Sequence, residues 1–352
     1  MSAADLTPQF AARIRDAAGP LRIRGGGSKD FYGGAHRGEV LDVSGHRGIL
    51  AYEATELVIT ARAGTPLAEI EAALAQQGQM LAFEPPHFGA AASSATIGGV
   101  VAAGLSGPRR ATAGAVRDYV LGVRLLDGQG RELNFGGQVM KNVAGYDVSR
   151  FVAGSLGTLA LILDVSLKVL PRPAAEVTLR FEAPAARALE LMNAWGGRPL
   201  PLSATAWHDD MLSVRLAGAR AAVAAAADKL GGERLAAAAA ASFWEDLREQ
   251  RHAFFGGASP LWRLSLPSTA AHPDLPGAML IEWGGSQRWL RGDLDAAQVR
   301  GMAARLGGHA TLFRGGDKTA GVFQPVPEAI AALQSRLRLA LDARGVFDTG
   351  RL

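Results

Sequence analysis

The sequence predicts an α+β protein built from two unlike parts. The chain has 352 residues, and a single hydrophobic core seldom serves more than about 250–300 residues. Its first half is rich in glycine and in short strand-like apolar runs, whereas the second half alternates such runs with alanine-rich segments. Pro171-Arg172-Pro173 is a rigid break between them. We therefore expect domains at residues 1–172 and 173–315, and a C-terminal helix and tail at 316–352 that return to the first domain.

The first domain is predicted to contain five strands and one long helix. Apolar and β-branched residues in runs of strand length predict the strands, which are Leu21–Arg24, Glu39–Asp42, Glu56–Ala61, Tyr119–Leu126 and Leu159–Val169. The helix opens at Thr65-Pro66, because proline suits the first helical turn, and Gly78 ends it.

The second domain is predicted to pair antiparallel strands with helices on one face. The predicted elements are strand Val177–Phe181, helix Pro184–Trp195, a hairpin of Ser203–His208 and Met211–Leu216 about Asp209-Asp210, and helix Ala219–Leu230. The run Ala236–Ala241 indicates the surface of another helix, since alanine is the best helix former. Pro327–Arg344 predicts the C-terminal helix.

Composition excludes several kinds of site and partner. The chain has no cysteine, so it cannot form disulfides, thiolate metal centres or iron–sulfur clusters of its own. Its histidines lack ligand spacing, so we expect no metal. The net charge is +4, and the arginines are scattered rather than gathered in a stripe, which argues against a nucleic-acid partner. No signal peptide or membrane span is evident. The expected location is the cytoplasm, and peripheral contact with the inner face of the membrane stays open.

A glycine-rich segment after the first predicted strand is a candidate anion site. It reads Arg24-Gly25-Gly26-Gly27-Ser28-Lys29-Asp30. A nicotinamide-dinucleotide fold needs a helix directly after its glycines, and a Walker loop needs a lysine followed by a hydroxyl residue. Neither continuation is present. Two interpretations stay open, namely a loop whose backbone N–H groups surround an anion and a tight turn that binds nothing.

A second segment extends from Pro85 to Pro108, and small residues dominate it from Gly89 to Gly107. It contains Thr96-Ile97-Gly98-Gly99, Gly104 and Ser106. Because this segment has few side chains that can pack, we predict a loop whose ordering costs conformational entropy. A large flat ligand that lies along its backbone would offset that entropic cost. The alternative is a mobile surface loop.

A third segment joins Lys141–Asp147 to the turn Gly154-Ser155-Leu156-Gly157-Thr158 and to a β-branched strand that includes Ile162. The turn could present Ser155, Thr158 and backbone groups to a ring system. Packing in the core explains the strand equally well without a ligand.

Taken in order, these segments resemble the FAD domain of the vanillyl-alcohol oxidase / p-cresol methylhydroxylase (PCMH) superfamily. The matching residues are Gly25–Ser28, Thr96–Gly99 with Gly104, Gly154–Thr158 and Lys168–Pro171. The resemblance covers residues 15–172 and implies a two-subdomain PCMH-type FAD-binding domain followed by a smaller α+β cap domain. The FAD contacts that it implies are Arg24, Gly25, Gly26, Gly27, Ser28, Lys29, Asp30, Pro85, Thr96, Ile97, Gly98, Gly99, Gly104, Ser106, Gly154, Ser155, Gly157, Thr158 and Ile162.

Two segments, Phe83–Arg110 and Lys141–Phe151, are similar to the family of FAD-binding E subunits of bacterial glycolate oxidase. The tail Gly345–Leu352 resembles the ending of 2-hydroxy-acid dehydrogenases. These resemblances imply an FAD-dependent oxidoreductase in a complex with a catalytic FAD subunit and an iron–sulfur subunit. The substrate, at the level of the complex, would be a small 2-hydroxy acid such as glycolate.

Three departures from the family pattern refine this expectation. Ser28 stands where some relatives carry the histidine that bonds covalently to flavin, so we expect non-covalent FAD. Ile281–Ser286 lacks the histidine-rich metal motif of catalytic relatives, and the strand Leu261–Pro267 lacks their substrate-binding lysine. The first hypothesis is therefore an auxiliary subunit that relays electrons. A self-sufficient dehydrogenase, and an assembly subunit without flavin turnover, are the alternatives.

The candidate catalytic residues are two arginines. Arg263, on a strand that the fold would direct toward the flavin, could pair with a carboxylate or stabilise the reduced flavin. It could equally form a salt bridge between domains. Arg248, on the helix after Trp244, allows the same two interpretations.

Overall fold

The structure is a computed structural model that describes residues 4–89, 95–137 and 147–352. Residues 90–94 and the first part of the third predicted segment, residues 141–146, lie outside the described residues. The helices are α1 (Thr7–Arg15), α2 (Leu67–Gln76), α3 (Ile97–Ala103), α4 (Arg110–Ala113), α5 (Ala185–Gly196), α6 (Arg220–Leu230), α7 (Ala237–Arg248), α8 (Ala296–Arg305) and α9 (Glu328–Leu341). None of the helices in these ranges is long and apolar enough to cross a membrane.

The strands are β1 (Leu21–Arg24), β2 (Glu39–Asp42), β3 (Ile49–Glu53), β4 (Val58–Arg62), β5 (Gln79–Met80), β6 (Val120–Leu126), β7 (Glu132–Gly136), β8 (Leu161–Lys168), β9 (Leu170–Pro171), β10 (Ala175–Glu182), β11 (Leu202–His208), β12 (Met211–Gly218), β13 (Glu233–Arg234), β14 (Leu261–Ser265), β15 (Ala278–Glu282), β16 (Gln287–Arg291) and β17 (His309–Arg314).

The part of the chain before residue 172 is organised around a five-stranded antiparallel sheet with the order β3-β4-β8-β6-β7. Helices α2 and α3 bury Leu67, Ile70 and Ile97 in one core with apolar residues of this sheet. β1 and β2 form a separate parallel pair. β1 leads directly into the glycine segment, so this pair positions it.

The rest of the chain contains an eight-stranded antiparallel sheet with the order β13-β10-β12-β11-β15-β16-β14-β17. One face packs on α5, α6 and α8, in a cluster that includes Met192 and Val223. The opposite face contributes Leu280 and Phe313 to a cluster that also contains Tyr32. This face of the large sheet is therefore turned toward the glycine-rich part of the chain.

Several predicted elements are confirmed. β1 and β2 have the predicted bounds, and β11 and β12 form the predicted hairpin. Its two turn residues, Asp209 and Asp210, have φ values of 52° and 56°, a conformation that aspartate tolerates in two-residue hairpins. The predicted domain limits at 172 and 315 stay a prediction.

The prediction of a loop through Thr96–Gly107 is wrong at its centre, which is helix α3. Thr96 caps the helix, since its Oγ1 accepts a hydrogen bond from the N–H of Gly99 at 3.3 Å. Gly98 is required for close packing, because a Cβ there would lie 2.5 Å from the Cβ of Ala63. Small residues here allow a helix to lie directly against β4 rather than leaving the chain loose.

Candidate functional site

The glycine segment lines a cleft that is open to solvent. All of Arg24–Asp30 border it. Thr96, Gly98 and Gly99 border it from the start of α3, and Gly157 and Ile162 from the start of β8. The fold therefore brings parts of all three predicted segments together around one space, which we call the glycine cleft.

The backbone of the glycine segment is open to an anion. None of the N–H groups of residues 25–28 donates a hydrogen bond to a described residue. A side chain at Gly25 would fill the cleft, since its Cβ would lie 2.3 Å from Thr96 Oγ1. Gly27 has a φ of 72°, which favours glycine. Free amides on a glycine loop form an anion-binding nest, so these residues fit the pyrophosphate of FAD.

A buried lysine adds positive charge beside these amides. Lys29 is 8% exposed, and its Nζ donates to the carbonyl of His87 at 3.3 Å. Burial lowers the pKa of Lys29 to about 8, and the nearby carboxylate of Glu249 partly opposes this shift. Arg24, in contrast, is neutralised by Asp30, with 2.9 Å between Nε and Oδ2.

Arg351 also borders the cleft, although the sequence analysis did not select it. Its guanidinium donates to the carbonyls of Tyr32 at 3.0 Å and of Lys29 at 2.6 Å. The resemblance of the tail to dehydrogenase endings was the signal that could have identified it. The other lining residues that were missed are small or apolar, namely Ile23, Val43, Ala63, Ala102, Ala103, Leu156 and Ala160.

Some predicted contacts do not border the glycine cleft. The hydroxyls of Ser155 and Thr158 donate to the carbonyls of Val152 and Ser155, at 2.9 and 2.8 Å, and so stabilise their own turn. Gly104 and Gly154 contact each other, since a Cβ on Gly104 would lie 2.8 Å from the Cα of Gly154. Buried Pro85 and Ile97, together with Ser106, are the remaining predicted residues outside the cleft.

A second, narrow pocket lies under the face of the large sheet that is turned toward the glycine-rich part. We call it the inter-sheet pocket. Its polar lining consists of Ser106, Arg248, Gln250, Arg263, Glu282 and Gln287, and its other lining residues are Pro86, Phe88, Leu105, Gly107, Pro108, Leu247, Trp289 and Phe313. Both candidate arginines and the predicted contact Ser106 therefore meet here.

The two arginines differ in how they are neutralised. Arg248 donates from Nε to Glu249 Oε1 at 2.8 Å. Arg263 forms no ion pair with any described residue; its Nη2 donates to the hydroxyl of Tyr32 at 3.3 Å. Its guanidinium also lies 5.8 Å from the ring centroids of Tyr32 and Phe313. Arg263 thus keeps a positive charge available to the pocket, and the alternative of a salt bridge between domains is not seen among the described residues.

Glu282 is a buried carboxyl that forms no ion pair with the residues that the structure describes. Its Oε2 accepts hydrogen bonds from Trp289 Nε1 at 2.6 Å and from Gln287 Nε2 at 3.1 Å. Burial raises the pKa of Glu282 to about 7, because these two neutral donors offset only part of the desolvation. Within the described ranges, no group of three histidine, aspartate or glutamate residues is arranged to hold a metal ion.

Comparison with known proteins identifies the family. Residues 8–136 match the family model of an FAD binding domain. Over 333 residues the chain is 49% identical to glycolate oxidase subunit GlcE of Escherichia coli (strain K12), a match that covers 95% of this chain and 92% of that one. The chain belongs to the GlcE family of glycolate oxidase subunits. Membership confirms the predicted FAD cofactor and the prediction of an FAD-linked oxidoreductase.

Other relatives match smaller parts of this GlcE-family chain. D-lactate dehydrogenase of Archaeoglobus fulgidus is 34% identical over 154 residues, which are 44% of this chain and 34% of that protein. Glycolate oxidase subunit GlcD of Bacillus subtilis is 33% identical over 131 residues, 37% of this chain and 27% of that protein. A solved structure of alkyldihydroxyacetonephosphate synthase superposes with a TM-score of 0.65 at 13% identity, covering 97% of this chain and 73% of that one. The predicted PCMH-type α+β fold is confirmed.

Proposed function

We propose that this chain is the FAD-binding subunit of a complex that oxidises glycolate or a related 2-hydroxy acid, and that it relays electrons toward an iron–sulfur subunit. The observation that carries the proposal is that the amides of residues 25–28 donate to none of the described residues, in a chain 49% identical to a glycolate oxidase subunit. We propose that the FAD is bound non-covalently, because Ser28 stands where some relatives carry the histidine that bonds to flavin.

In this proposal the residues of the glycine cleft bind FAD, and Arg263 acts at the inter-sheet pocket. The amides of residues 25–28 donate to the pyrophosphate, and Lys29 adds a desolvated positive charge beside them. Arg263 stabilises negative charge that develops near the inter-sheet pocket. Bound FAD supplies the redox chemistry, because it accepts two electrons as a hydride and can release them singly. The chain has no cysteine, so an iron–sulfur cluster would belong to a partner subunit.

The proposal includes a catalytic FAD subunit as a second partner, and a cytoplasmic location with the complex at the inner face of the membrane. It also retains the domain limits 1–172, 173–315 and 316–352, in which the C-terminal tail completes the FAD domain. The bonds from Arg351 to Tyr32 and Lys29 support this last point.

Co-purification and anaerobic reduction test the proposal together. The full chain, tagged and co-expressed with both candidate partners, should bring down an iron–sulfur subunit. Glycolate added without oxygen should bleach the flavin of the complex and leave the flavin of the isolated chain oxidised. Bleaching of the isolated chain would instead establish a self-sufficient dehydrogenase, which the unpaired charge of Arg263 favours as the second candidate. An assembled complex in which this chain holds no flavin would establish the assembly role.

A further inference from the structure

Helix α9 is open to water along almost all of its length. Of its 14 residues, only Leu341 is buried against the described part of the chain. Ile330 and Leu333 are 45% and 57% exposed, although both are large apolar side chains. A helix of about 12–15 residues is only marginally stable in water by itself, and most helices in proteins are stabilised by the packing of an apolar face. The apolar side of α9 is therefore available to another molecule.

The apolar residues of α9 form a narrow stripe, which consists of Ile330, Leu333, Leu337 and Ala340. Their spacing places them on one side of the helix, and it is the pattern by which two helices pack along a common seam. A helix that lies in a lipid surface carries many basic residues on its polar face and large apolar or aromatic side chains on the other. In contrast, α9 contains no lysine and no aromatic residue. The stripe therefore favours another helix over a membrane.

Two arginines beside the stripe have no counter-charge among the described residues. Arg336 directly precedes Leu337 and forms no ion pair with any of them. Arg338 forms none either, and its Nε is buried without a hydrogen-bond partner in the described part of the chain. The one acid of α9, Glu328, lies in the first turn and on the side opposite the stripe. Two copies of α9 packed together would place arginines, and no carboxylate, at the edges of the shared interface. The charges therefore favour a different chain that carries acidic residues.

We propose that the stripe on α9 docks an amphipathic helix of another subunit of the glycolate oxidase complex, one with acidic residues beside its own apolar residues. The inference rests on the proposed function, which supplies the partner subunit. Leu333 inserts between side chains of the partner helix, and carboxylates of the partner pair with Arg336 and Arg338. Docking also stabilises α9 itself, because the stripe becomes the buried face that a helix of this length needs.

Two leucines on different sides of α9 give a matched test. Leu333 belongs to the stripe, whereas Leu339 lies away from it and is 61% exposed. The full tagged chain is co-expressed with both candidate partner subunits, and the dissociation constant of the purified complex is measured from the concentration dependence of assembly. Leu333→Glu should weaken assembly by about tenfold to a hundredfold, because an apolar side chain leaves the interface. Leu339→Glu should assemble as wild type does. Equal assembly by the two variants would overturn the proposal.

The charge of Arg336 and the competing occupants are tested on the same proteins. Arg336→Glu should weaken assembly by about fivefold, whereas Arg336→Lys should not weaken it. If the isolated chain forms a dimer in light scattering, or binds phosphatidylglycerol vesicles, and Leu333→Glu abolishes either, the stripe serves a second copy or a membrane and the proposal is wrong.

Flavin absorbance separates the docking surface from the cofactor site. It should be the same in wild type and in every variant, and loss of flavin from Leu333→Glu would show that the stripe packs within this chain, which overturns the proposal. If the wild-type chain forms no complex, the proposed function fails and the docking surface fails with it. If the wild-type complex forms and Leu333→Glu joins it equally well, only the docking surface is wrong.

Discussion

Arg215 and Glu84 join the large sheet to the glycine-rich part of the chain through a largely buried ion pair. Nη2 of Arg215, on β12, lies 2.8 Å from Oε1 and 3.0 Å from Oε2 of Glu84, which follows β5. The backbone N–H of Arg109 donates to the same carboxylate at 2.9 Å. Burial alone would raise the pKa of Glu84, but Arg215 and Arg109 outweigh it and the pKa is lowered. This pair therefore helps to fix the face of the large sheet over the inter-sheet pocket.

Glu84→Gln should destabilise the protein strongly, because it leaves the buried guanidinium of Arg215 with only the more distant carboxylate of Glu176, at 4.0 Å, as a counter-charge. Breaking one side of a buried ion pair costs about 3–5 kcal/mol. Urea denaturation followed by circular dichroism measures the loss. Glu190→Gln removes an exposed partner of Arg187 and should cost less than about 1 kcal/mol. Equal losses in the two variants would mean that the Glu84 pair does not stabilise the fold.

Glu282 should make stability decrease as the pH rises. Its pKa is raised from 4.5 to about 7 in the folded chain. Between these values the unfolded chain has released a proton that the folded chain still holds, so the free energy of unfolding falls with pH across that window. The loss should be roughly 3 kcal/mol, and Glu282→Gln should abolish it. Denaturation of both proteins near pH 5 and near pH 8 tests this, and parallel pH profiles would contradict it.

Lys29 should make FAD affinity dependent on pH. Because its pKa is lowered to about 8, the free cleft loses this positive charge as the pH rises through that value. Pyrophosphate binding then requires uptake of a proton, so the Kd for FAD should rise by up to about tenfold per pH unit above this point. Fluorescence titration of the apoprotein measures it. Lys29→Met should bind FAD more weakly at neutral pH and without this dependence, whereas Lys229→Met, at an exposed position of α6, should behave as wild type.

The flavin should leave the protein when the chain is unfolded. Ser28 occupies the position at which some relatives carry a histidine, and its hydroxyl cannot form the same link. Acid precipitation should place all of the flavin in the supernatant. Flavin that stays with the precipitate would show a covalent bond to the protein and would contradict the prediction of non-covalent FAD.

The parts of the glycine cleft that depend on short-range sequence patterns were predictable. An apolar run followed by glycines predicts a strand and then an open loop, and both lie at Leu21–Ser28 as expected. Helix α3 was not predictable from its own residues, because glycine is a poor helix former. The burial of Ile97 and the fit of Gly98 against Ala63 determine it, and these contacts exist only in the folded chain.

The inter-sheet pocket was only partly predictable. Arg263 and Arg248 were candidates because an arginine near flavin can pair with a carboxylate or stabilise the reduced flavin. Glu282 and Gln287 carry no local motif and meet because β15 and β16 pair them directly across the sheet. Neighbouring strands of one sheet thus build a site that the linear sequence does not display.

The visible absorption spectrum of the purified chain shows whether FAD binds in the glycine cleft. We predict peaks near ~370 and ~450 nm with about one flavin per chain. Gly25→Ala should lose most of this flavin, because its Cβ would meet Thr96 Oγ1 at 2.3 Å. Gly196→Ala, where a Cβ meets nothing within 4 Å, should retain it. A wild-type spectrum without these peaks, or full flavin content in a folded Gly25→Ala variant, would contradict FAD binding at this site.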